Sequence, residues 1–139
     1  MQRSTITDIA ARTIVAGAMF GHGLQKLVTW RDWPGPHRSG EILREEGLGG
    51  GTATAVVAGV VQVGAAALMV AAPRSWLGPT AAAGTMIVAS GVKARNGYWS
   101  QHDGAEYPLM LAALGTALAV AAEVTPLAAW RAISGGTAS

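Results

Sequence analysis

The stretch that decides the fold class is Thr52–Ala72, TATAVVAGVVQVGAAALMVAA, near the middle of a chain of 139 residues. It lies within a longer run, residues 47–73, that contains no charged side chain. At about 1.5 Å per residue, a helix of this length spans roughly 30 Å, which is the thickness of the hydrocarbon core of a bilayer. The pattern therefore predicts a transmembrane helix.

Three further stretches have the same character. The first predicted span is residues 6–27, which has charges near its ends and an uncharged middle. The third and fourth are residues 76–92 and 106–122, whose interiors carry no charge. Pro126 is expected to end the fourth helix, because proline lacks the backbone N–H that a helix needs. We therefore predict an all-α integral membrane protein, an up-down bundle of four transmembrane helices.

The composition excludes several classes of protein. Only 13% of the residues are charged, whereas an ordinary soluble domain has about a quarter. The net charge of +2 gives no reason to expect a nucleic acid as partner. The absence of cysteine excludes disulfides, thiolate catalysis and cysteine-bound iron–sulfur clusters. We expect one domain, residues 1–133, followed by a disordered tail, residues 134–139.

Aromatic and small residues support the bundle. The chain has five tryptophans and one phenylalanine, and the tryptophans lie at or beside predicted span ends, as in an interfacial aromatic belt. The spans are rich in alanine and glycine, which allow transmembrane helices to approach closely. A soluble alanine-rich bundle is the alternative, but it would need charged outer faces. The face of the second span expected to pack inward consists of Ala55, Gly59, Gln62, Ala66 and Met69.

Polar residues are concentrated at one end of the predicted bundle. Up-down topology places the end of the first span, the start of the second, the end of the third and the start of the fourth on one membrane side. The two longer loops, residues 28–51 and 93–105, lie on the same side. We therefore predict a polar vestibule lined by His22, Gln25, Lys26, Lys93, Glu106 and Tyr107, with Gln62 deeper, near mid-membrane.

The cost of burying charge gives these residues two interpretations. An ionisable group within a span is costly unless it is paired or hydrated, so it usually faces the bundle interior or a cavity. Glu106 is expected to neutralise Lys26 or Lys93; alternatively, each of the three anchors the helix ends in the head-group layer. His22 lies about one turn inside its span, where it makes an interhelical hydrogen bond or has a functional role. Gln62 has the same two interpretations, of which the interhelical bond is favoured.

The sequence does not support a metal site. His22, His37 and His102 can all lie on the vestibule side, but none belongs to a motif with metal-ligand spacing. The chain also lacks the hydrolase nucleophile elbow, the phosphate-binding loop and the dinucleotide fingerprint. We assign no metal ligand.

Two motifs resemble those of the DoxX family of small four-span bacterial membrane proteins. HGLQKL, residues 22–27, is similar to the family's ending of the first helix. NGYW at residues 96–99, followed by GAEYPL at residues 104–109, is similar to its entry into the fourth helix. The first loop, with Gly35-Pro36 and later Glu46-Gly47-Leu48, also resembles that of the family. The likeness extends over about residues 13–121, and it implies the bacterial cytoplasmic (inner) membrane as the location.

The resemblance also implies a functional setting. DoxX-like proteins are associated with quinone-linked redox complexes, including a thiosulfate:quinone oxidoreductase, and with oxidative-stress assemblies. Family members often carry a carboxylate where this chain has Gln62, and a histidine near the position of Lys93. These two departures argue against a proton relay at either position.

Three hypotheses follow. The first is an accessory or anchoring subunit of a quinone-linked redox complex, in which His22 and Glu106 hydrogen-bond the quinone oxygens and Lys26 balances charge. The alternative is a small cofactor-free membrane enzyme (isomerase, ring-opening or hydrolytic) that acts on a lipophilic substrate, with Glu106 and His22 as acid and base. The third is a structural or assembly protein. The binding candidates are Gln25, Lys26, Gln62, Lys93, Asn96 and Tyr107.

Orientation is not decided by charge. The vestibule side carries six Lys/Arg and the opposite side four, but without Lys26 and Lys93 the counts are equal. By resemblance, we expect cytoplasmic termini and a vestibule that faces outward. The expected partners are the lipid bilayer, a redox-enzyme subunit and a lipophilic small molecule, and homo-oligomerisation is left open.

Overall fold

The described part of the chain is mostly helical, with a small hairpin between the first two helices. A computed structural model describes residues 2–134, and the surroundings of side chains within residues 6–122. Two short 3-10 turns, Ala94–Asn96 and Ser100–His102, lie in the last loop. In chain order the other elements are α1 (Gln2–Leu27), β1 (Thr29–Trp30), β2 (Trp33–Pro34), α2 (Gly35–Glu45), α3 (Thr52–Ala71), α4 (Leu77–Lys93) and α5 (Glu106–Ser134).

The long helices α1, α3, α4 and α5 pack as an up-down bundle because small residues let their backbones meet. A Cβ added to Gly23 of α1 would lie 2.8 Å from the carbonyl oxygen of Gly59 in α3. One added to Gly78 of α4 would lie 2.9 Å from the carbonyl oxygen of Ala65, also in α3. One added to Gly115 of α5 would lie 3.1 Å from the backbone of Pro79 and Ala83 in α4. Such close approach is typical of membrane helices, where packing replaces the hydrophobic drive.

The core is built from medium and small side chains. Val15 and Met19 of α1 have no exposed surface. The face predicted for the second span is confirmed, because all five of its residues are buried in α3. The core cluster comprises Val15, Ala16, Met19, Ala65, Ala66, Met69, Ala82, Met86, Leu111, Ala112 and Leu118.

The prediction that Pro126 ends the fourth helix is wrong, because α5 continues through it to Ser134. Proline removes one backbone donor, but the remaining hydrogen bonds of a long helix can carry it past that point. Ser134, which was expected to begin a disordered tail, is the last residue of α5. Residues 135–139, the rest of that predicted tail, lie outside the described residues.

The loop between α1 and α3 contains a hairpin and α2. The two strands are antiparallel, with Trp30 opposite Trp33, and Arg31 takes a left-handed conformation at the turn (φ 49°). α2 then lies across the end of the bundle. A side chain at Gly40 would overlap the backbone of Gly51 and Thr52, so α2 packs directly on the start of α3.

One helix of the described residues is long and apolar enough to cross a membrane. It is Thr52–Ala71, 20 residues with a mean hydropathy of 2.0 in its most apolar window. Glu106–Ala122 is a shorter apolar helix by the same measure. The second predicted span is therefore supported by its length and composition, and within the described residues the other three spans stay predictions.

Candidate functional site

A cavity of about 690 Å³ lies at the end of the bundle that carries the longer loops. Its walls come from α3 and α4, from the last two turns of α1 and from the start of α5, and α2 lies across its end. The volume falls in the range of about 300–1,000 Å³ that is usual for small-molecule sites. Much of the lining is apolar, including Ile42, Leu43, Ala58, Val88 and Ala89.

The structure brings six of the eight candidate site residues together. The residues that line the cavity are His22, Gln25, Lys26, Gln62, Lys93 and Tyr107. They come from α1, α3, α4 and α5, whose ends meet here because of the up-down topology. Asn96 and Glu106 are the two candidates that do not line it.

Lys26 reaches across the cavity from α1 to α3. Its Nζ donates to the carbonyl oxygen of His22, one turn earlier, and to Oε1 of Gln62, each at 3.1 Å. Gln62 is buried, at 4% exposure, and this bond joins the two helices. Within the described part of the chain Lys26 forms no ion pair. Neutral oxygens thus meet two of the three donors of the ammonium, and the third is available to a ligand.

His22 forms the side of the cavity next to α5. Its ring is half-buried and lies 5.6 Å from the ring of Tyr107, centroid to centroid, with the planes tilted by 59°. The contact joins the end of α1 to the first turn of α5. An imidazole at this wall can donate or accept a hydrogen bond, depending on its tautomer.

Lys93 holds the loops together at the rim of the cavity. Its Nζ lies 2.5 Å from a carboxylate oxygen of Glu46, just after α2, and 2.5 Å from one of Asp103, in the last loop. We call these three residues the Lys93 latch. Lys93 follows the predicted span 76–92; partial burial alone would lower its pKa, but hydrogen bonds to Asp103 and Glu46 raise it above the ordinary value. The ammonium therefore stays charged at neutral pH.

The expected pairing of Glu106 with Lys26 or Lys93 is wrong. Glu106 accepts hydrogen bonds from the backbone N–H of Ser100 at 3.1 Å and from its hydroxyl at 2.8 Å. A carboxylate at the start of a helix suits nearby N–H donors, and Ser100 lies only six residues away. The interaction closes the loop before α5 and holds the carboxylate away from both lysines.

Asn96 also serves this loop. Its Nδ2 donates to the carbonyl oxygen of Asp103 at 3.3 Å. Asn96 and Glu106 therefore shape the loop that presents Asp103 to Lys93, and neither side chain lines the cavity.

Sequence reasoning missed two acidic residues and the cover of the cavity. Glu46 was named only in the loop that resembles the family's first loop, and Asp103 was not considered. The pair Asp103-Gly104 is a turn signal, and Asp103 does adopt a left-handed conformation (φ 57°), but a turn signal does not name a partner. Among the described residues, no group of three histidine or acidic side chains is placed to hold a metal ion.

Comparison with known proteins identifies the family. The sequence model of the DoxX family matches residues 7–94, which is more than half of the chain and includes α2, α3 and α4 with most of α1. The match contains the HGLQKL motif and ends before the second motif, which begins at Asn96. No curated protein and no solved structure matches the chain. On the strength of the family match, the chain belongs to the DoxX family.

Proposed function

We propose that this chain is a multi-pass protein of the bacterial cytoplasmic membrane whose cavity binds the head group of a quinone. It would act as an accessory or anchoring subunit of a quinone-linked redox complex. Membership of a membrane family supports the location. The outer face of the bundle supports lipid contact on all four long helices, because large apolar side chains there are more than half exposed, including Ile6, Ile14, Val57, Val70, Ile87 and Met110.

The observation that carries the proposal is the environment of Lys26. Among the described residues Lys26 has no ion-pair partner; it lies at the polar end of a largely apolar cavity, and its two hydrogen bonds go to neutral oxygens. A partly buried ammonium without a direct ion pair is costly unless its remaining donor finds an acceptor. A quinone carbonyl is a suitable acceptor, since it is uncharged and attached to an apolar ring. His22, on the same wall, is placed to contact a second oxygen.

The proposal needs a partner subunit. The chain has no cysteine, so its own side chains offer no thiol chemistry for accepting or passing electrons. Its part would be to hold and orient the quinone, while the partner performs the oxidation.

The alternative, a cofactor-free enzyme acting on a lipophilic substrate, is less well supported, because only one of its two acid–base candidates lines the cavity. Glu106 bonds to Ser100 and does not line the cavity, so acid–base chemistry there would depend on His22. The third hypothesis, a purely structural role, makes Lys26 and Gln62 only a link between α1 and α3.

The test compares Lys26→Met with Arg38→Met. Both changes remove one cation, but Arg38 lies on the exposed side of α2, bonded to Glu41, and does not line the cavity. Binding of decyl-ubiquinone to the purified protein is measured by calorimetry. Lys26→Met is expected to weaken it about tenfold to a hundredfold, because a hydrogen bond from a charged group contributes about 1.5–3 kcal/mol. Arg38→Met is expected to leave it unchanged.

Three outcomes would count against the proposal. Equal affinity in the two variants would remove Lys26 from the site. Protein purified gently from its own host should also carry a quinone or a redox subunit, detected by native mass spectrometry and lipid extraction. A different bound molecule would favour the enzyme, and an empty, partnerless bundle would favour the structural role.

A further inference from the structure

The cavity lies in a cleft between α3 and α4 that is closed at one end. Near the turn that joins these helices, Gly78 meets the backbone of Ala65, so the two helices touch. Towards the other end, Ala58 and Gln62 of α3 and Thr85, Ala89 and Val92 of α4 face the cavity instead of each other. The helices therefore separate as they run from the turn to the loops.

The cleft reaches the outer surface of the bundle. Gly84 and Val88 of α4 line the cavity, yet Gly84 is exposed and Val88 is 53% exposed. Ile87, their neighbour on the outer face, is 58% exposed. A Cβ added to Gly84 would meet no atom within 4 Å, so the space beside it is open. The groups at this opening are apolar, and in a bilayer they would face lipid.

The end of the cavity towards the loops is covered. α2 contributes Ser39, Ile42 and Leu43 to the lining, and its Gly40 packs against the backbone at the start of α3. The Lys93 latch ties the end of α2 to the last loop. Backbone packing and two ion pairs hold this cover, whereas the described residues place no comparable contact across the cleft at Gly84.

We infer that the cavity opens sideways into the bilayer between α3 and α4, and that its ligand is an amphiphile. The head group, a hydrogen-bond acceptor, lies at Lys26, and a hydrocarbon tail leaves past Ala58, Gly84 and Val88. The inference rests on the proposed function, because it takes the Lys26 end as the head-group site. It adds the class of ligand, a molecule that arrives from the membrane, and the path that it takes.

The first experiment maps the tail. A ubiquinone analogue with a photoreactive diazirine midway along a ten-carbon tail is bound to wild-type protein in lipid nanodiscs and irradiated. Labelling that excess decyl-ubiquinone displaces is expected on α3 near Ala58 and on α4 near Gly84 and Val88. Displaceable labelling on α2 or the last loop would overturn the sideways opening and leave the head-group site intact. Absence of displaceable labelling would overturn both proposals.

The second experiment blocks the opening. Gly84→Phe places a ring in the open space of the cleft, and Gly91→Phe is the matched control, because Gly91 is also open but does not line the cavity. Gly84→Phe is expected to lower displaceable labelling by at least about tenfold, because even one misfitting methylene in an apolar pocket changes binding by about 10–200-fold. Binding of the tailless quinone head should persist, and Gly91→Phe should change neither. Equal labelling in the two variants, or loss of head-group binding together with the tail in a folded Gly84→Phe protein, would contradict the inference.

Discussion

Gly23→Ala tests whether close contact between α1 and α3 builds the site. The added methyl would lie 2.8 Å from the carbonyl oxygen of Gly59, 2.8 Å from a methyl of Val63 and 3.0 Å from the Val63 nitrogen. Two of these atoms belong to the backbone of a helix, which cannot turn aside as a side chain can. Ordinary contact requires the helices to separate by roughly half an ångström. Lys26 is one turn further along α1, so its bond to Gln62 would be stretched.

The expected loss of stability is estimated by comparison with a second glycine of α1. Gly21 is on the same helix, and a methyl there would meet no atom within 4 Å. Both substitutions gain the helix preference of alanine, about 0.5–1 kcal/mol, so the difference between them isolates the overlap. Forcing a methyl into a packed contact costs about 1–3 kcal/mol. At about 3–4 °C per kcal/mol for a protein of this size, Gly23→Ala should melt roughly 3–12 °C below Gly21→Ala.

The assay is thermal unfolding of both variants in one detergent, followed by circular dichroism, with decyl-ubiquinone affinity measured on the same preparations. We expect Gly23→Ala to melt lower and to bind more weakly than Gly21→Ala. Equal melting temperatures would refute the close contact between the helices. A lower melting temperature with unchanged affinity would refute the link between this contact and the site.

Three further predictions concern the rim, the loop and the orientation. A double-mutant cycle with Lys93→Met and Glu46→Gln should give a coupling of about 0.5–1 kcal/mol in thermal unfolding, small because the pair is partly exposed, and a coupling near zero would show that the latch does not stabilise the fold. Glu106→Gln should lower the melting temperature by weakening the hydrogen bonds from Ser100, and calorimetry should show an unchanged affinity for quinone. Loss of the protein's function in its host with an unchanged melting temperature would instead favour the enzyme hypothesis. Green fluorescent protein fused after Ser139 should fluoresce, as expected for a cytoplasmic terminus, whereas a dark fusion with active alkaline phosphatase at the same position would reverse the orientation.

The gathering of the candidate residues was predictable, but their pairing was not. His22 and Lys26 are four residues apart on α1, and helical geometry alone puts them on one face. Alternation of helix direction then brings Lys93 and Tyr107 to the same end, and Gln62 lines the cavity from the middle of α3. Glu106 was assigned to the lysines because it shares that end, yet it bonds to Ser100. The conformation of the loops decides which charged groups come within hydrogen-bonding distance, and loop conformation leaves no periodic pattern in the sequence.

Taken alone, the sequence determined the helical class, the α3 face that is buried and the end of the helix bundle at which most of the candidate polar residues collect. These properties depend on hydropathy and on the 3.6-residue period, which are local along the chain. Only the tertiary structure decided that Lys93 pairs with Glu46 and Asp103, that α2 covers the cavity and that the cleft opens beside Gly84. Ion pairs and openings depend on ångström separations between segments distant in sequence, since both Coulomb attraction and packing fall steeply with distance.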